Sequence, residues 1–160
     1  MEVRYAQKEE LPQVNRLRRQ VHELHCQGRP DIFRDGFCDA LQQHVYDIFE
    51  KENAGVIAAL SEGAVQGFAI VEYIDRPMSA YNLPRRYCHV EEFGVDEAHR
   101  RQGVATALLE FIKEDALARG FEKIELDMWE FNQGALGFYE SAGFTTFRRL
   151  MELPLTKGNS

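Results

Sequence analysis

The chain has 160 residues, 44% of them hydrophobic, which is the material of one ordinary domain with a real core. Its net charge of −7 argues against nucleic-acid binding, which usually shows a basic patch, and is compatible with a cationic acceptor such as an amine. No apolar run reaches the roughly 18 residues of a membrane span, no signal-peptide pattern opens the chain, and Cys26, Cys38 and Cys88 show no CxxC spacing, so a cytoplasmic setting away from any membrane is expected.

Val3 to Ala6 reads as a short first strand. Leu11, Val14, Leu17, Val21 and Leu24 recur at helical spacing, with Pro12 suited to the first turn. Gly28-Arg29-Pro30-Asp31 ends that helix as a loop. Phe37, Leu41, Val45 and Phe49 predict a second helix. Gly55 to Leu60 and Val65 to Ile74 are apolar and partly β-branched, and Ser61-Glu62-Gly63-Ala64 between them completes a hairpin. Asp75 to Arg86 holds two prolines and an Asn and reads as a loop placed to cover a site.

Tyr87 to Val95 is the expected central strand. Ala105, Leu108, Leu109, Ile112 and Ala116 give the next helix, Val104 to Arg119, one buried stripe, and Gly120 suits its C-terminal cap. Phe121 to Trp129 reads as another strand. Asn132 opens a short helix whose N-terminus its side chain can cap, and Gly143 ends it. Phe144 to Leu153 reads as a final strand. Residues 1–153 are expected to form a single domain, with 154–160 a polar tail. The order β-α-α-β-β-β-α-β-α-β specifies an α/β chain (α+β in its mixed sheet) with helices on both sides.

Arg100-Arg101-Gln102-Gly103-Val104-Ala105 lies between the central strand and the helix that follows. A strand that breaks into a glycine turn and then a helix aims free backbone N–H groups one way, at the positive end of the helix dipole. Gly103 permits close approach and unusual backbone angles, and two arginines add charge for phosphate oxygens. No Gly-Lys-Ser/Thr follows, so this is not a Walker loop. The two further glycines of a dinucleotide fingerprint are also missing.

Arg100-x-x-Gly103-x-Ala105 resembles the acyl-CoA pyrophosphate loop of the GNAT acetyltransferase superfamily, Gln/Arg-x-x-Gly-x-Gly/Ala. Asn132, followed by Phe138-Tyr139-Glu140-Ser141-Ala142-Gly143-Phe144, resembles that family's second signature. The resemblance is close from Val90 to Leu153 and only in outline from Val3 to Ile74. It implies the GNAT-type acyl-CoA N-acyltransferase fold and acetyl-CoA as co-substrate, gripped by Arg100, Arg101, Gln102, Gly103, Val104 and Ala105. In that family the strand before the loop splays from its neighbour and the pantetheine arm lies in the gap. Phe93, Gly94 and Val95 occupy the matching positions, with backbone N–H groups near Phe93 as oxyanion donors. A strand glycine such as Gly94 often marks a bulge or a close approach, and letting a bulky neighbour pack is the plainer reading.

The same resemblance makes Tyr139 the general acid toward the cofactor sulfur and puts Asn132 on the pantetheine or nearby backbone. The alternative for Tyr139 is a core aromatic with a satisfied hydroxyl. A protonated amine acceptor also needs a base. Alternation sends Glu91 and Glu92 to opposite faces of the strand, with Glu92 pointing alongside Gly94, although a bulge would reverse this. Glu92 is preferred because relatives often carry an acidic residue there. Glu91 and Asp127 are the other candidates, and an ordinary solvated or paired carboxylate is the competing reading for each.

His25 to Phe33, a Leu-His-x-x-x-Arg-Pro-Asp-x-Phe string, is similar to one found in a subgroup of GNAT-like proteins. It nominates His25, Asp31 and Phe33 as acceptor-binding residues, against the alternative of a rigid helix-ending turn fixed by Pro30. Trp129, with Phe131, lines the acceptor pocket or packs. His22, His25 and Cys26 share a helix face, but no second ligand pair follows at zinc spacing, so no metal is expected. The reading is an N-acetyltransferase moving an acetyl group from acetyl-CoA to a primary amine, on a small molecule or a peptide, by direct attack. No cysteine sits in a nucleophile motif that would point to an acetyl-enzyme. A non-catalytic acyl-CoA sensor is the alternative, and a structural interaction domain a third. The family commonly forms homodimers, although no sequence patch marks an interface here.

Overall fold

A computed structural model describes residues 1–155. They fall into two compact units, Met1–Asp127 and the residues from Met128 onward. The first unit is built on a five-stranded sheet in the order β1-β2-β3-β4-β5. The strands are β1 (Glu2–Tyr5), β2 (Ala54–Ser61), β3 (Ala64–Arg76), β4 (Arg85–Val95) and β5 (Ile124–Leu126). The first three pairings are antiparallel, and β4–β5 is parallel. Helices α1 (Leu11–Gly28) and α2 (Asp39–Phe49) pack on one face, and α3 (Val104–Ala118) on the other. The mixed sheet between helix layers agrees with the fold expected from the sequence.

Each helix forms because its apolar spacing gives the sheet one stripe to bury. Leu11, Val14 and Leu17 are buried on α1, Val45 and Ile48 on α2, and Leu108, Leu109, Ile112 and Ala116 on α3. Ile48 takes the core position expected of Phe49. The β2–β3 turn is Glu62-Gly63, both with positive φ, the backbone that a tight hairpin turn demands. The two strands sandwiched between helix layers, β2 and β3, are nearly continuous apolar runs. Helix α3 ends at Gly120, where the Phe121 N–H reaches back to the Ala116 carbonyl at 2.9 Å.

Three expectations need correction. The strand expected over Phe121–Trp129 shrinks to Ile124–Leu126, because Phe121 is drawn into the α3 cap and the β4 register ends at Leu126. The final strand expected over Phe144–Leu153 is absent: no described strand pairs with it, and Phe147, Leu150, Met151 and Leu153 are exposed. Strand character is a fit to a neighbouring ladder, so β-type residues without a partner edge do not make a strand. The loop expected over Asp75–Arg86 narrows to residues 77–84, since β3 and β4 extend into it. It joins β4 at the Arg85 end, whereas the Arg100 turn follows the Val95 end. The tail expected over 154–160 lies mostly outside the described residues.

In the second unit, α4 (Gln133–Ser141) is capped at its start by Asn132, whose side chain accepts from the Ala135 N–H at 3.1 Å.

Candidate active site

The geometry of the first unit's site begins with a one-residue irregularity in β4. Ile70 of β3 faces Glu92 while its neighbour Val71 faces Val90, so Glu91 is the extra residue of a bulge. Cys88 and Val90 pack in the core on the α3 side, and Phe93 and Val95 join them there. Strict alternation would have turned Phe93 and Val95 to the opposite face. The bulge restores them, and it turns Glu91 and Glu92 together toward α1 and α2. The expectation that the two glutamates point to opposite faces is therefore overturned.

The two carboxylates meet different partners. Glu92 accepts from Arg18 through both oxygens, at 3.0 Å from Nε and 3.1 Å from Nη2. Arg18 is only 3% exposed and also donates to the Leu41 carbonyl at 2.6 Å and to Asn15 Oδ1 at 2.8 Å. Such a bidentate pair commits one lone pair on each Glu92 oxygen and balances its charge with a buried cation. Glu91 accepts from His44 Nε2 on α2 at 2.7 Å through Oε1. Its Oε2 is buried and makes no hydrogen bond among the described residues. Burial pushes the Glu91 carboxyl above the usual carboxylate range. The His44 hydrogen bond works against that rise, and the nearby Glu72 and Glu92 carboxylates add to it. The nearest ligating atoms of His44, Glu91 and Glu92 lie within 4.8 Å of one another, but Arg18 already occupies Glu92.

The C-terminal half of β4 has an open edge. Its pairing with β5 covers only Cys88 to Val90, and from Glu91 to Val95 the ladder runs to β3 alone. Gly94 faces α1, where a Cβ would sit 2.6 Å from Val21 Cγ2 and 2.9 Å from Phe68 Cε1. Close packing of neighbours thus accounts for this glycine, and the bulge lies three residues earlier. Asp96 follows immediately and is buried. It accepts from Arg16 at 2.9 Å, Gln20 at 3.2 Å and the Ala98 N–H at 3.2 Å. Burial alone would raise its pKa, yet these donors hold it down to about 2. Asp96 thereby clamps α1 to the chain just ahead of the Arg100 turn.

In that turn Arg100, Arg101, Gln102 and Gly103 are exposed, while Val104 is buried and Ala105 partly so. Arg101 and Gly103 have φ of 64° and 82°, and no side chain among the described residues caps the α3 N-terminus that Gly103 leads. A Cβ on Gly103 would meet nothing, so the glycine is required by its backbone angle alone. The first-turn N–H groups of this fifteen-residue helix then have no side-chain acceptor among the described residues, at its dipole's positive end.

In the second unit, Tyr139 is fixed by the end of α4. The Gly143 N–H donates to the Glu140 carbonyl and the Phe144 N–H to the Tyr139 carbonyl, while the Tyr139 and Phe144 rings meet edge-on at 5.5 Å. This is a Schellman closure with its usual apolar contact. Burial pushes the Tyr139 hydroxyl up to about 12. Trp129 stacks with Phe131 at 6.3 Å.

The remaining candidates divide. His25 stacks on Phe33 at 5.0 Å, and burial lowers its pKa. Asp31 is tied to Arg29 by two contacts of 2.9 Å, so this stretch behaves as a self-braced turn. Asp127 lies exposed one residue beyond the end of β5, not on the strand expected to carry it. Among the cysteines, burial drives Cys88 up to about 12, and only Cys38 is drawn below its usual range, by the Leu41 N–H at the start of α2.

Comparison with known proteins settles the family. The acetyltransferase (GNAT) family model matches residues 18–144. The chain belongs to the GNAT acetyltransferase family. Human N-acetyltransferase 8B is 31% identical over 68 residues, a stretch that covers 42% of this chain and 30% of that protein. A solved mutant of the BH1408 protein from Bacillus halodurans is 29% identical and superposes with a TM-score of 0.93, covering 98% of this chain and 100% of that one. The aminoglycoside acetyltransferase AAC(6')-Iy, solved in complex with a bisubstrate analog, is 18% identical with a TM-score of 0.75 and 97% coverage of both chains, a likeness of fold. Among the described residues of this GNAT acetyltransferase, no helix is long and apolar enough to cross a membrane.

Sequence reasoning missed Arg18, His44 and Asp96. Arg18 stands one turn after Val14 on the buried stripe of α1, and two adjacent glutamates on a core strand call for such a cation. The spacing Cys88, Val90, then Phe93, Val95 also carried the phase slip of the bulge.

Proposed function

We propose that this acetyltransferase moves the acetyl group of acetyl-CoA to a primary amine by direct attack in a ternary complex. The observation that carries the reading is the continuity of the open β4 edge, Glu91 to Val95, with the uncapped N-terminus of α3 at Gly103. An extended amide-bearing arm fits the first as an added strand, and a pyrophosphate fits the second. Arg100 and Arg101 supply charge to the phosphate oxygens. Backbone N–H groups near Phe93 face the developing oxyanion.

Glu91 is the base in this reading, in place of Glu92. Its raised pKa keeps it closer to the acceptor's range, and Oε2 receives no N–H donor among the described residues, the Glu72 carboxyl being its acidic neighbour. Glu91 takes one proton from the ammonium acceptor, and the freed nitrogen lone pair attacks the thioester carbon. The C–N bond forms, the C–S bond breaks, CoA departs as the thiolate, and the second nitrogen proton leaves to water. Tyr139 serves that thiolate. A phenol near 12 is fully protonated at neutral pH, but a thiol of roughly 8.5 is the stronger acid. Tyr139 therefore stabilises the leaving sulfur chiefly by hydrogen bonding, and water completes the protonation.

The Glu72 carboxyl beside Glu91 suits a cationic acceptor, Glu92 being paired with Arg18. Aminoglycoside-binding relatives of the same fold, one solved with sisomicin, act on amines of that kind. Calorimetry with acetyl-CoA tests the cofactor half. Arg100→Ala should weaken binding about tenfold, and Gly103→Val more, because a β-branched residue resists positive φ. Unchanged affinity in both variants sinks the pyrophosphate assignment. A free-thiol release screen over primary amines, di- and polyamines included, tests the acceptor half. Cofactor binding without thiol release on any amine would favour the acyl-CoA sensor.

A further inference from the structure

We propose that His44 is the positioning residue for Glu91, holding Oε1 so that Oε2 is kept for the proton that leaves the amine. The inference rests on Glu91 being the base. His44 Nε2 lies 2.7 Å from Oε1, and Oε2 has no hydrogen-bond partner among the described residues. Without a hold on one oxygen, a carboxyl on a bulge residue is free to rotate about its terminal torsion.

The brace behind His44 is rigid. Its neighbour Val45 is fully buried, and α2 is pinned to α1 by Arg18 on the Leu41 carbonyl and by Asn15 on the Gln42 carbonyl at 3.1 Å. Arg18 is the same residue that grips Glu92, so one buried guanidinium sets both the strand and the helix that carries the imidazole. The His44 side chain is 37% exposed, so the imidazole edge away from Glu91 borders solvent. The titratable groups facing Glu91 are His44 from α2, Glu72 from β3 and Glu92 from β4. Arg18 and His25 of α1 lie beyond Glu92.

The test follows the Glu91 carboxyl by carbon-detected NMR titration in wild type, His44→Phe and His44→Gln, and needs no acceptor. In His44→Phe the hydrogen bond is lost, and Glu91 should titrate higher by about one unit. In His44→Gln an amide N–H still reaches Oε1, and most of that shift should disappear. On the amine found by thiol release, kcat should fall at least tenfold in His44→Phe, the acidic limb of kcat/KM should move up by the same shift, and His44→Gln should restore both. An identical Glu91 titration in wild type and His44→Phe overturns the inference while leaving Glu91 as base. A Glu91→Gln enzyme that keeps its acidic limb instead removes the base assignment itself. Should His44→Phe misfold, the Gln variant with His44→Asn, which is too short to reach Oε1, gives the same comparison.

Discussion

Two adjacent glutamates on one strand end with unlike tasks because one extra residue turns them to the same face and different helices meet them. Glu92→Gln should act on stability, because it leaves the buried Arg18 guanidinium without its charge partner, at a cost of about 3 kcal/mol by urea unfolding. Glu91→Gln should act on rate. Its raised pKa places the acidic limb of kcat/KM above the ordinary carboxylate range, and activity should fall as the pH drops through it. The glutamine variant should lose that limb and about 100-fold in kcat. If the two variants exchange these signatures, the roles are reversed. Tyr139→Phe removes a donor to the leaving sulfur, so kcat should drop about 100-fold while the KM for acetyl-CoA changes little. A large rise in KM with kcat intact would make Tyr139 a binding residue instead.

At the level of elements, β4 carries most of what distinguishes this site. Gly94→Ala should cost about 1–3 kcal/mol in a thermal melt, since the new methyl meets Val21 and Phe68 at under 3 Å. A neutral result would mean that α1 lies further from the strand. Local chemistry explains what the sequence revealed. Gly120 and Gly143 marked helix ends, and Gly103 the turn before a helix, because each takes a positive φ that other residues resist, and Asn132 marked a start because its side chain accepts a backbone N–H. The apolar stripes of α1 and α3 were legible for the same reason, being local repeats, whereas on α2 only Val45 of the expected four is buried and Phe37 precedes the helix. The bulge was less legible, because a phase slip is seen only when the two faces are known. Arg18 and His44 were hidden because their partners are 74 and 47 residues away. Phe144 to Leu153 misled because strand-forming residues declare a preference, and only a neighbouring ladder fulfils it.

For the molecule as a whole, the carboxyl groups set opposing pH responses. Asp96 titrates at about 2 when folded and at roughly 3.9 when unfolded. Its folded value is the lower, so its stabilisation, about 2.6 kcal/mol, is complete above about pH 5 and lost progressively as the pH falls toward about 1. Glu91 is shifted the other way, so its contribution is present at low pH and lost as the pH rises through its folded value. Asp96→Asn should flatten the acid side of a stability–pH curve measured by urea unfolding, and an unchanged slope there would show that the Arg16 and Gln20 contacts contribute nothing. The division of the chain at Asp127 and Met128 has a practical side. Trp129 is the sole tryptophan, stacked on Phe131 in the second unit, whereas three of the four α-helices among the described residues belong to the first. Indole emission therefore reports on one unit and helical circular dichroism mainly on the other. Melting curves from the two signals superimpose only if both units unfold in a single cooperative step, so an unlabelled sample already carries separate optical reporters for the segment with Tyr139 and the segment with Glu91.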